Sequence, residues 1–187
     1  MEQNNSANRE SQTATRILVI GSGGREDAIG WKFAEDFKQK GQDLELFFIP
    51  GNAGTAQIGT NVSVSSIEEM KNFAKENQID LTFVGPEAEL AEGIVDIFQK
   101  ENLNVFGPHK AAAQLEASKA FAKDFMDKYG VKTAKYKNFQ GPMLAIDYLK
   151  TQEYPIVVKA SGLAAGKGVI ILSLIHISEP TRQAEIS

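Results

Sequence analysis

Apolar side chains over residues 16–110 follow two alternating patterns. A short continuous apolar run occurs at Ile17–Ile20, and mostly apolar segments that predict strands occur at Leu44–Ile49, Leu81–Val84 and Asn104–Phe106. Runs of this length are typical of strands that are buried on both faces of a sheet. Between the runs, apolar residues recur at helical spacing, as Ile29, Phe33 and Phe37 do. The chain therefore begins as alternating strands and amphipathic helices.

The helices predicted between these strands span Arg25–Lys40, Ser66–Asn77 and Leu90–Glu101. Ser66, with Glu69 three residues later, has the capping-box pattern that marks a helix start. Alternating strands and helices indicate βαβ units. We therefore expect a Rossmann-like α/β domain over residues 16–110, in which helices cover both faces of a parallel sheet.

The pattern changes after residue 110. A helix is predicted over Ala111–Tyr129, with a break near Ser118 and Gly130 as its C-cap. The elements predicted after it are a strand at Ala134–Phe139, a helix at Pro142–Thr151, and strands at Ile156–Val158 and Val169–Leu172. This order predicts the start of an α+β domain over residues 111–171. Residues 1–15 contain almost no large apolar side chain, so we expect a disordered head.

Composition removes several classes of function. The 187 residues include no Cys and two His, which excludes disulfides, Cys-zinc sites and thiol catalysis and leaves little for a His-based metal site. The net charge of −4 gives no basic footprint for nucleic acid. No apolar run is long enough to span a bilayer, and the polar N-terminus lacks a signal core. We expect a cytoplasmic protein that handles a cofactor or nucleotide, without nucleic acid, membrane or an obligate protein as partner.

The Gly-rich turn Gly21–Glu26 follows the first predicted strand. Glycines let backbone N–H groups approach an anion, and the N-terminus of the next helix adds a favourable dipole. Arg25 supplies a cation for the same anion. The alternative is a plain strand–helix turn. A dinucleotide site is disfavoured because Glu26 stands at the third glycine position of G-x-G-x-x-G and because Pro50-Gly51, not an acid, ends the second strand.

A second Gly-rich loop, Gly162–Gly168, lies between two predicted strands. It is not a P-loop, because the spacing from Gly162 to Gly166 is one residue short and Gly168 replaces the expected Ser or Thr. A flap over nucleotide phosphates and a plain hairpin turn are the two interpretations. Lys159 favours the flap, because an unpaired ammonium at the end of an apolar strand is costly to bury.

Two further charged residues are candidates for ligand contact. Glu87 follows the third predicted strand, at the edge of the sheet where α/β proteins bind ligands. A solvated loop acid is the alternative interpretation. Lys119 follows Ser118 near a predicted helix start, and an ordinary surface lysine is the alternative there.

Six segments, in this order, resemble the phosphoribosylamine–glycine ligase family of the ATP-grasp superfamily. They are GSGGRE (Gly21–Glu26), PGNAGTA (Pro50–Ala56), VGPEAEL (Val84–Leu90), FGP (Phe106–Pro108), AAQLEASKAFAKDF (Ala112–Phe125) and VVKASGLAAGKGV (Val157–Val169). The resemblance implies a pre-ATP-grasp domain and the start of an ATP-grasp domain. It also implies an ATP-dependent carboxylate–amine ligase of purine biosynthesis, which joins glycine to 5-phosphoribosylamine with ATP and Mg²⁺ or Mn²⁺.

The resemblance further implies roles for individual residues. Phosphoribosylamine would be contacted by Gly23, Gly24, Arg25, Glu26 and Glu87. ATP would be contacted by Lys119, Lys159, Gly162, Gly166, Lys167 and Gly168, the last four belonging to a phosphate flap. The family's metal ligands lie in a later segment, so we expect no metal ligand in this sequence.

The chain departs from the family pattern at several positions. Asp27 stands where the family usually has His, and Ser161 stands where the flap usually begins with Asp. The resemblance ends near Ile171, and residues 172–187 resemble a translated sequencing adapter, a hypothesis that the nucleotide sequence can test. We expect ligase activity in the parent protein and none in this chain. The alternatives are an inactive phosphosugar- or nucleotide-binding fragment and another ATP-grasp carboxylate–amine ligase.

Overall fold

The computed structural model describes residues 14–163, 168–172 and 179–180. The chain divides into two compact units, Met1–Ala111 and Ala112–Ser187. Most of the predicted disordered head and most of the adapter-like segment therefore lie outside the described residues. In the described part of the chain, no helix is long and apolar enough to cross a membrane.

A five-stranded parallel sheet forms the centre of the first unit. Its strands are β1 (Thr15–Gly21), β2 (Leu44–Pro50), β3 (Thr60–Asn61), β4 (Leu81–Val84) and β5 (Val105–Phe106). They are ordered β3-β2-β1-β4-β5, which confirms the predicted Rossmann-like sheet. The sequence did not predict β3, because its two residues are exposed and form no apolar run.

The helices of the first unit are α1 (Gly24–Lys40), α2 (Ile67–Glu76), α3 (Glu87–Glu92) and α4 (Ile94–Lys100). The predicted cap of α2 is confirmed, because the Ser66 hydroxyl accepts a hydrogen bond from the Glu69 N–H and the Glu69 carboxylate accepts one from the Ser66 N–H. The single helix predicted over Leu90–Glu101 is wrong. Helix α3 starts earlier, at Glu87, and ends at Glu92, because the next residue, Gly93, has a φ of 97° and interrupts the helix before α4.

Helix α1 packs closely on the centre of the sheet. Its Phe33, Ala34 and Phe37 contact a buried cluster formed by Ile17, Val19, Leu46 and Phe48. At Gly30 the helix approaches β2 so closely that an ideal Cβ would lie 2.6 Å from Phe48 Cε1. This packing holds the N-terminus of α1 at the carboxyl end of β1, where the first Gly-rich turn lies.

The second unit combines helices with a small antiparallel sheet. The helices are α5 (Lys110–Ala117, which contains the division between the units), α6 (Lys119–Lys128) and α7 (Pro142–Leu149). The strands are β6 (Ile156–Lys159), β7 (Val169–Leu172) and β8 (Glu179–Pro180), in the order β6-β7-β8. The predicted break at Ser118 is confirmed, since its hydroxyl accepts a hydrogen bond from the Phe121 N–H and caps α6.

The strand predicted at Ala134–Phe139 is wrong. Within the described residues this segment pairs with no strand. Side chains fasten it to α6 instead: the Tyr136 hydroxyl and the Asn138 amide both donate to Asp124 Oδ1, at 2.8 and 3.0 Å. Hydrogen bonds from side chains, and not a strand ladder, therefore hold this segment.

Replacing Gly30 with Ala tests the packing of α1 on β2. We expect Gly30→Ala to lower the free energy of unfolding by about 1–3 kcal/mol, because overpacking displaces Phe48 or the helix. Urea denaturation measures this change. Gly24→Ala in the same helix is the matched control, since an ideal Cβ at Gly24 meets no atom within 4 Å. Equal stability of the two variants would contradict the close packing.

Candidate functional site

The loops that follow β1, β2 and β4 lie together at one edge of the first unit's sheet. The Gly51 N–H donates to the Gly21 carbonyl at 3.2 Å, and the Gly85 N–H donates to the Ile20 carbonyl at 3.1 Å. Both neighbouring loops are therefore attached to the end of β1. Strand β1 lies between β2 and β4, so this edge is the switch point at which open α/β sheets bind ligands.

Arg25 and Glu87 meet at this edge, although 62 residues separate them. Arg25 Nη1 donates to Glu87 Oε1 at 3.4 Å, and Nη2 donates to the Gly85 carbonyl at 3.3 Å. Both side chains are substantially exposed, at 64% and 43%. An exposed ion pair of this length contributes little stability, so an anionic ligand can compete for the guanidinium.

Glu26, although adjacent to Arg25, is placed differently. Its side chain is buried, and Oε2 accepts a hydrogen bond from the Gly23 N–H at 2.7 Å. Gly23 precedes α1 as its N-cap, and Gly24 begins the helix in open space, with no atom within 4 Å of an ideal Cβ. The predicted substrate contacts thus separate into an exposed group, Gly23, Gly24, Arg25 and Glu87, and the buried carboxylate of Glu26.

Asn52 organises the loop after β2, and the sequence analysis did not single it out. Its Oδ1 accepts hydrogen bonds from the Gly54 and Thr55 N–H groups at 2.7 and 3.0 Å. Its Nδ2 donates to the Ser22 carbonyl at 3.0 Å, which joins this loop to the first Gly-rich turn. The signal that could have found it is Asn two residues before Gly, a pattern typical of a turn closed by its own side chain.

A buried threonine and an amide from β3 support Asn52. The Thr55 hydroxyl is fully buried and donates to Asn61 Oδ1 at 2.7 Å. Asn61 Nδ2 in turn donates to the Asn52 carbonyl at 2.7 Å. The short strand β3 therefore contributes to the site by fixing the conformation of the neighbouring loop.

Asp27 lies in the first turn of α1, beside the same loop. An ideal Cβ on Gly54 would lie 2.7 Å from Asp27 Oδ1, so the carboxylate rests against that glycine. An acid in this turn interacts favourably with the helix dipole. The same charge reduces the positive potential that the helix N-terminus offers to an anion.

In the second unit, the start of the Gly-rich loop is fastened to the N-terminus of α6. The Lys119 N–H donates to the Ser161 carbonyl at 2.8 Å, and the Ala120 N–H donates to the Ser161 hydroxyl at 3.1 Å. The Lys119 ammonium donates to the Gly162 carbonyl at 2.9 Å. The Ser161 hydroxyl therefore accepts a hydrogen bond from the Ala120 N–H that an Asp carboxylate at this position could accept as well.

The remaining predicted ATP contacts are only partly described. The Ala160 N–H donates to the Gly168 carbonyl at 2.7 Å and closes the base of the loop, whereas Gly166 and Lys167 lie outside the described residues. Lys159 ends β6 and is exposed. The argument that burial of its ammonium requires an anionic partner is therefore wrong, and its role in ATP binding stays a prediction.

A cavity of about 750 Å³ lies in the second unit, between α6, α7 and the segment that follows α6. Asp124 and Asp127 line it together with Lys135, Lys137 and Tyr136. The Tyr136 hydroxyl bonds to Asp124, which raises the pKa of Tyr136 to about 12. The lining thus combines two carboxylates with two ammonium groups, so it carries no excess of either charge. In the described ranges, this cavity included, no cluster of three or more His, Cys, Asp or Glu residues could hold a metal ion.

Two family models match consecutive parts of the chain. The first, for the phosphoribosylglycinamide synthetase N domain, covers residues 15–116. The second, for the ATP-grasp (A) domain of the same synthetase, covers residues 117–184 and so overlaps part of the segment after Leu172. The adapter origin of that segment stays a prediction. The matches agree with a Rossmann-like domain followed by the start of an ATP-grasp domain.

Known phosphoribosylamine–glycine ligases are similar over most of this chain. The enzyme of Clostridium acetobutylicum is 50% identical over 171 residues, which are 90% of this chain and 40% of that protein. The enzyme of Fusobacterium nucleatum is 52% identical over 158 residues, which are 83% and 36%. The crystal structure of the Thermotoga maritima enzyme matches with a TM-score of 0.67 and 40% identity, over 85% of this chain and 36% of that one. The chain thus spans about two fifths of the relatives' length.

Removing the Ser161 hydroxyl tests the attachment of the loop to α6. We expect Ser161→Ala to destabilise the second unit by about 1 kcal/mol and to accelerate hydrogen exchange at the Ala120 amide, because that amide loses its acceptor. Ser161→Asp retains an acceptor and should keep the amide protected. Ser63→Ala, at an exposed serine of the first unit, is the control. Unchanged exchange at Ala120 in Ser161→Ala would refute the attachment.

Proposed function

This chain belongs to the phosphoribosylglycinamide synthetase family, and we propose that it carries the phosphoribosylamine site and the beginning of the ATP site of a glycine ligase. The full-length protein would use ATP to join glycine to 5-phosphoribosylamine and form glycinamide ribonucleotide. The observation that carries this proposal is the convergence of Arg25 and Glu87 beside the open N-terminus of α1.

The proposed reaction explains why such a protein needs anion-binding loops. A glycine carboxylate is a poor electrophile until the γ-phosphoryl group of ATP is transferred to one of its oxygens, which releases ADP. The amine nitrogen of phosphoribosylamine then attacks the carbonyl carbon, the carbon–oxygen bond to phosphate breaks, and the amine loses a proton. Both the transferred group and the sugar phosphate are anions, which N–H donors and cations stabilise.

In the first unit, we place the phosphate of phosphoribosylamine at the start of α1. This helix is 17 residues long, and its first N–H groups have no partner within the helix. Gly24 leaves room for an oxygen to approach these groups, and Arg25 adds a charge-assisted hydrogen bond. Glu87, released from Arg25 by the phosphate, would accept hydrogen bonds from the ribose hydroxyls or the amine.

In the second unit, we place ATP phosphates beside Lys119 and Lys159, under the Gly162–Gly168 flap. The Lys119 ammonium now donates to the Gly162 carbonyl, and a phosphate oxygen would be a stronger acceptor for the same proton. By the family resemblance, Mg²⁺ or Mn²⁺ would neutralise the charge of the phosphates. Among the described residues no acidic cluster fits that ion, so we assign metal binding and turnover to the full-length protein.

Binding of ribose 5-phosphate tests the site in the first unit. We expect the chain to bind this compound and Arg25→Ala to weaken the affinity by about tenfold or more, because one charge-assisted hydrogen bond is lost. Isothermal titration calorimetry measures the affinity. Lys32→Ala removes a cation from the outer face of the same helix, where it pairs with Asp36, and should have no effect. The same loss in both variants would show attraction by net charge and not by a site.

Nucleotide binding tests the site in the second unit. We expect Lys119→Met and Lys159→Met each to weaken ATP binding by about tenfold, because each removes a cation from the phosphates. Lys150→Met, which disrupts an exposed pair with Asp147, is the matched control. Wild-type affinity in both site variants, measured by equilibrium dialysis, would exclude these lysines from the ATP site.

A further inference from the structure

We propose that Glu26 is a positioning residue, which joins the β1–α1 loop to the β4–α3 loop from beneath and does not itself contact the ligand. This proposal rests on the proposed function, because what Glu26 would position is Arg25 at the phosphosugar site. It differs from the role that the family resemblance implies, in which Glu26 belongs with the substrate contacts.

The carboxylate of Glu26 lies in a space that three glycines leave open. The residue is 3% exposed, and its Oε2 accepts the Gly23 N–H at 2.7 Å. An ideal Cβ would lie 2.5 Å from Glu26 Cγ if built on Gly21, and 2.9 Å from Oε2 if built on Gly23. Built on Gly85, it would overlap Oε1. Side chains at these three positions would therefore displace the carboxylate.

The glycines of the two loops therefore have different structural roles. Gly21, Gly23 and Gly85 accommodate Glu26, and Gly21 in addition has a φ of 129° that other residues rarely adopt. Gly24 is the one of the four at which an ideal Cβ would meet no atom within 4 Å. The glycine that a phosphate needs for close approach is thus Gly24, whereas the other three are required by the buried carboxylate.

The charge on Glu26 acts on Arg25. Glu26 Oε1 is buried and accepts no hydrogen bond in the described structure, and Arg25 Nε lies 3.6 Å from it. The same guanidinium donates to the Gly85 carbonyl and to Glu87. A buried carboxylate needs a compensating positive charge. Glu26 therefore attracts the guanidinium towards Gly85, where it spans the two loops.

Burial prevents a direct role for Glu26 in binding. Gly85 lies against Oε1, and Oε2 already accepts a hydrogen bond from the Gly23 N–H. A ligand at the surface of the loops can reach Gly24, Arg25 and Glu87 without any change in the loops, but it can reach neither carboxylate oxygen of Glu26. Glu26 therefore affects the ligand indirectly, through the position of Arg25 and through the backbone of the β1–α1 and β4–α3 loops.

Nuclear magnetic resonance of the wild-type chain gives the first test. Without ligand, the Gly23 amide should exchange with solvent at least tenfold more slowly than the Gly24 amide, because it donates to a buried carboxylate. During a titration with ribose 5-phosphate, the Arg25 Nε resonance should move more than the Glu26 carboxyl carbon. Equal exchange of the two amides, or a larger movement of the Glu26 carbon, would overturn the proposal.

The second test uses Glu26→Gln, which keeps the size and one acceptor oxygen but removes the charge. In the ligand-free variant we expect the Arg25 Nε and Gly85 amide resonances to shift, and the affinity for ribose 5-phosphate to fall by about tenfold. Glu35→Gln, on the same helix but away from both loops, should change neither. Lower affinity without a change in the ligand-free spectrum would indicate direct contact and refute the proposal.

The two proposals fail in distinguishable ways. If the wild-type chain does not bind ribose 5-phosphate, the proposed function fails, while the protection of the Gly23 amide and the ligand-free spectrum of Glu26→Gln still decide the placement of Glu26. If Glu26→Gln does not fold, the wild-type exchange and titration decide it. If the chain binds the sugar phosphate but the Gly23 amide exchanges without protection, the role of Glu26 is contradicted and the proposed function is not.

Discussion

The pairing of β1 with two parallel neighbours is the constraint on which the candidate site depends. Ile20 is opposite Ile49 on one side and Val84 on the other, so the three strands end at the same level. The residues from Ile17 to Gly21 are all buried, which fixes the strand between its neighbours. The loops that follow these strands are consequently close together in space, although they are far apart in sequence.

At that edge, the division between buried and exposed charge determines what each residue can do. Arg25 and Glu26 are consecutive on a helix, and consecutive helical residues point in different directions. One side chain extends to Glu87 over the loops, and the other lies beneath Gly85. Their functions differ for this reason: the exposed cation can contact an anion, while the buried acid stabilises the arrangement in which the cation is held.

The sequence predicted the parts of the fold in which burial leaves a pattern. The apolar runs of β1, β2 and β4 and the capping box of α2 needed only local information. The two-residue strand β3 and the interruption of the helix at Gly93 depend on backbone pairing and on one left-handed residue, which carry no apolar periodicity. At the site, Arg25 and Glu87 were predicted, but the burial of Glu26 depends on a glycine 59 positions away and leaves no local signal.

The central claim is that the carboxyl edge of the first unit's sheet is a phosphosugar site built on the loops after β1 and β4. Mapping backbone amide shifts during a titration of the chain with ribose 5-phosphate tests it most directly. The account predicts that the largest shifts occur at Gly24, Arg25 and Glu87, with small shifts at the opposite edge of the sheet. Largest shifts at the cavity around Tyr136 in the second unit, or at the amino ends of the strands, would contradict it.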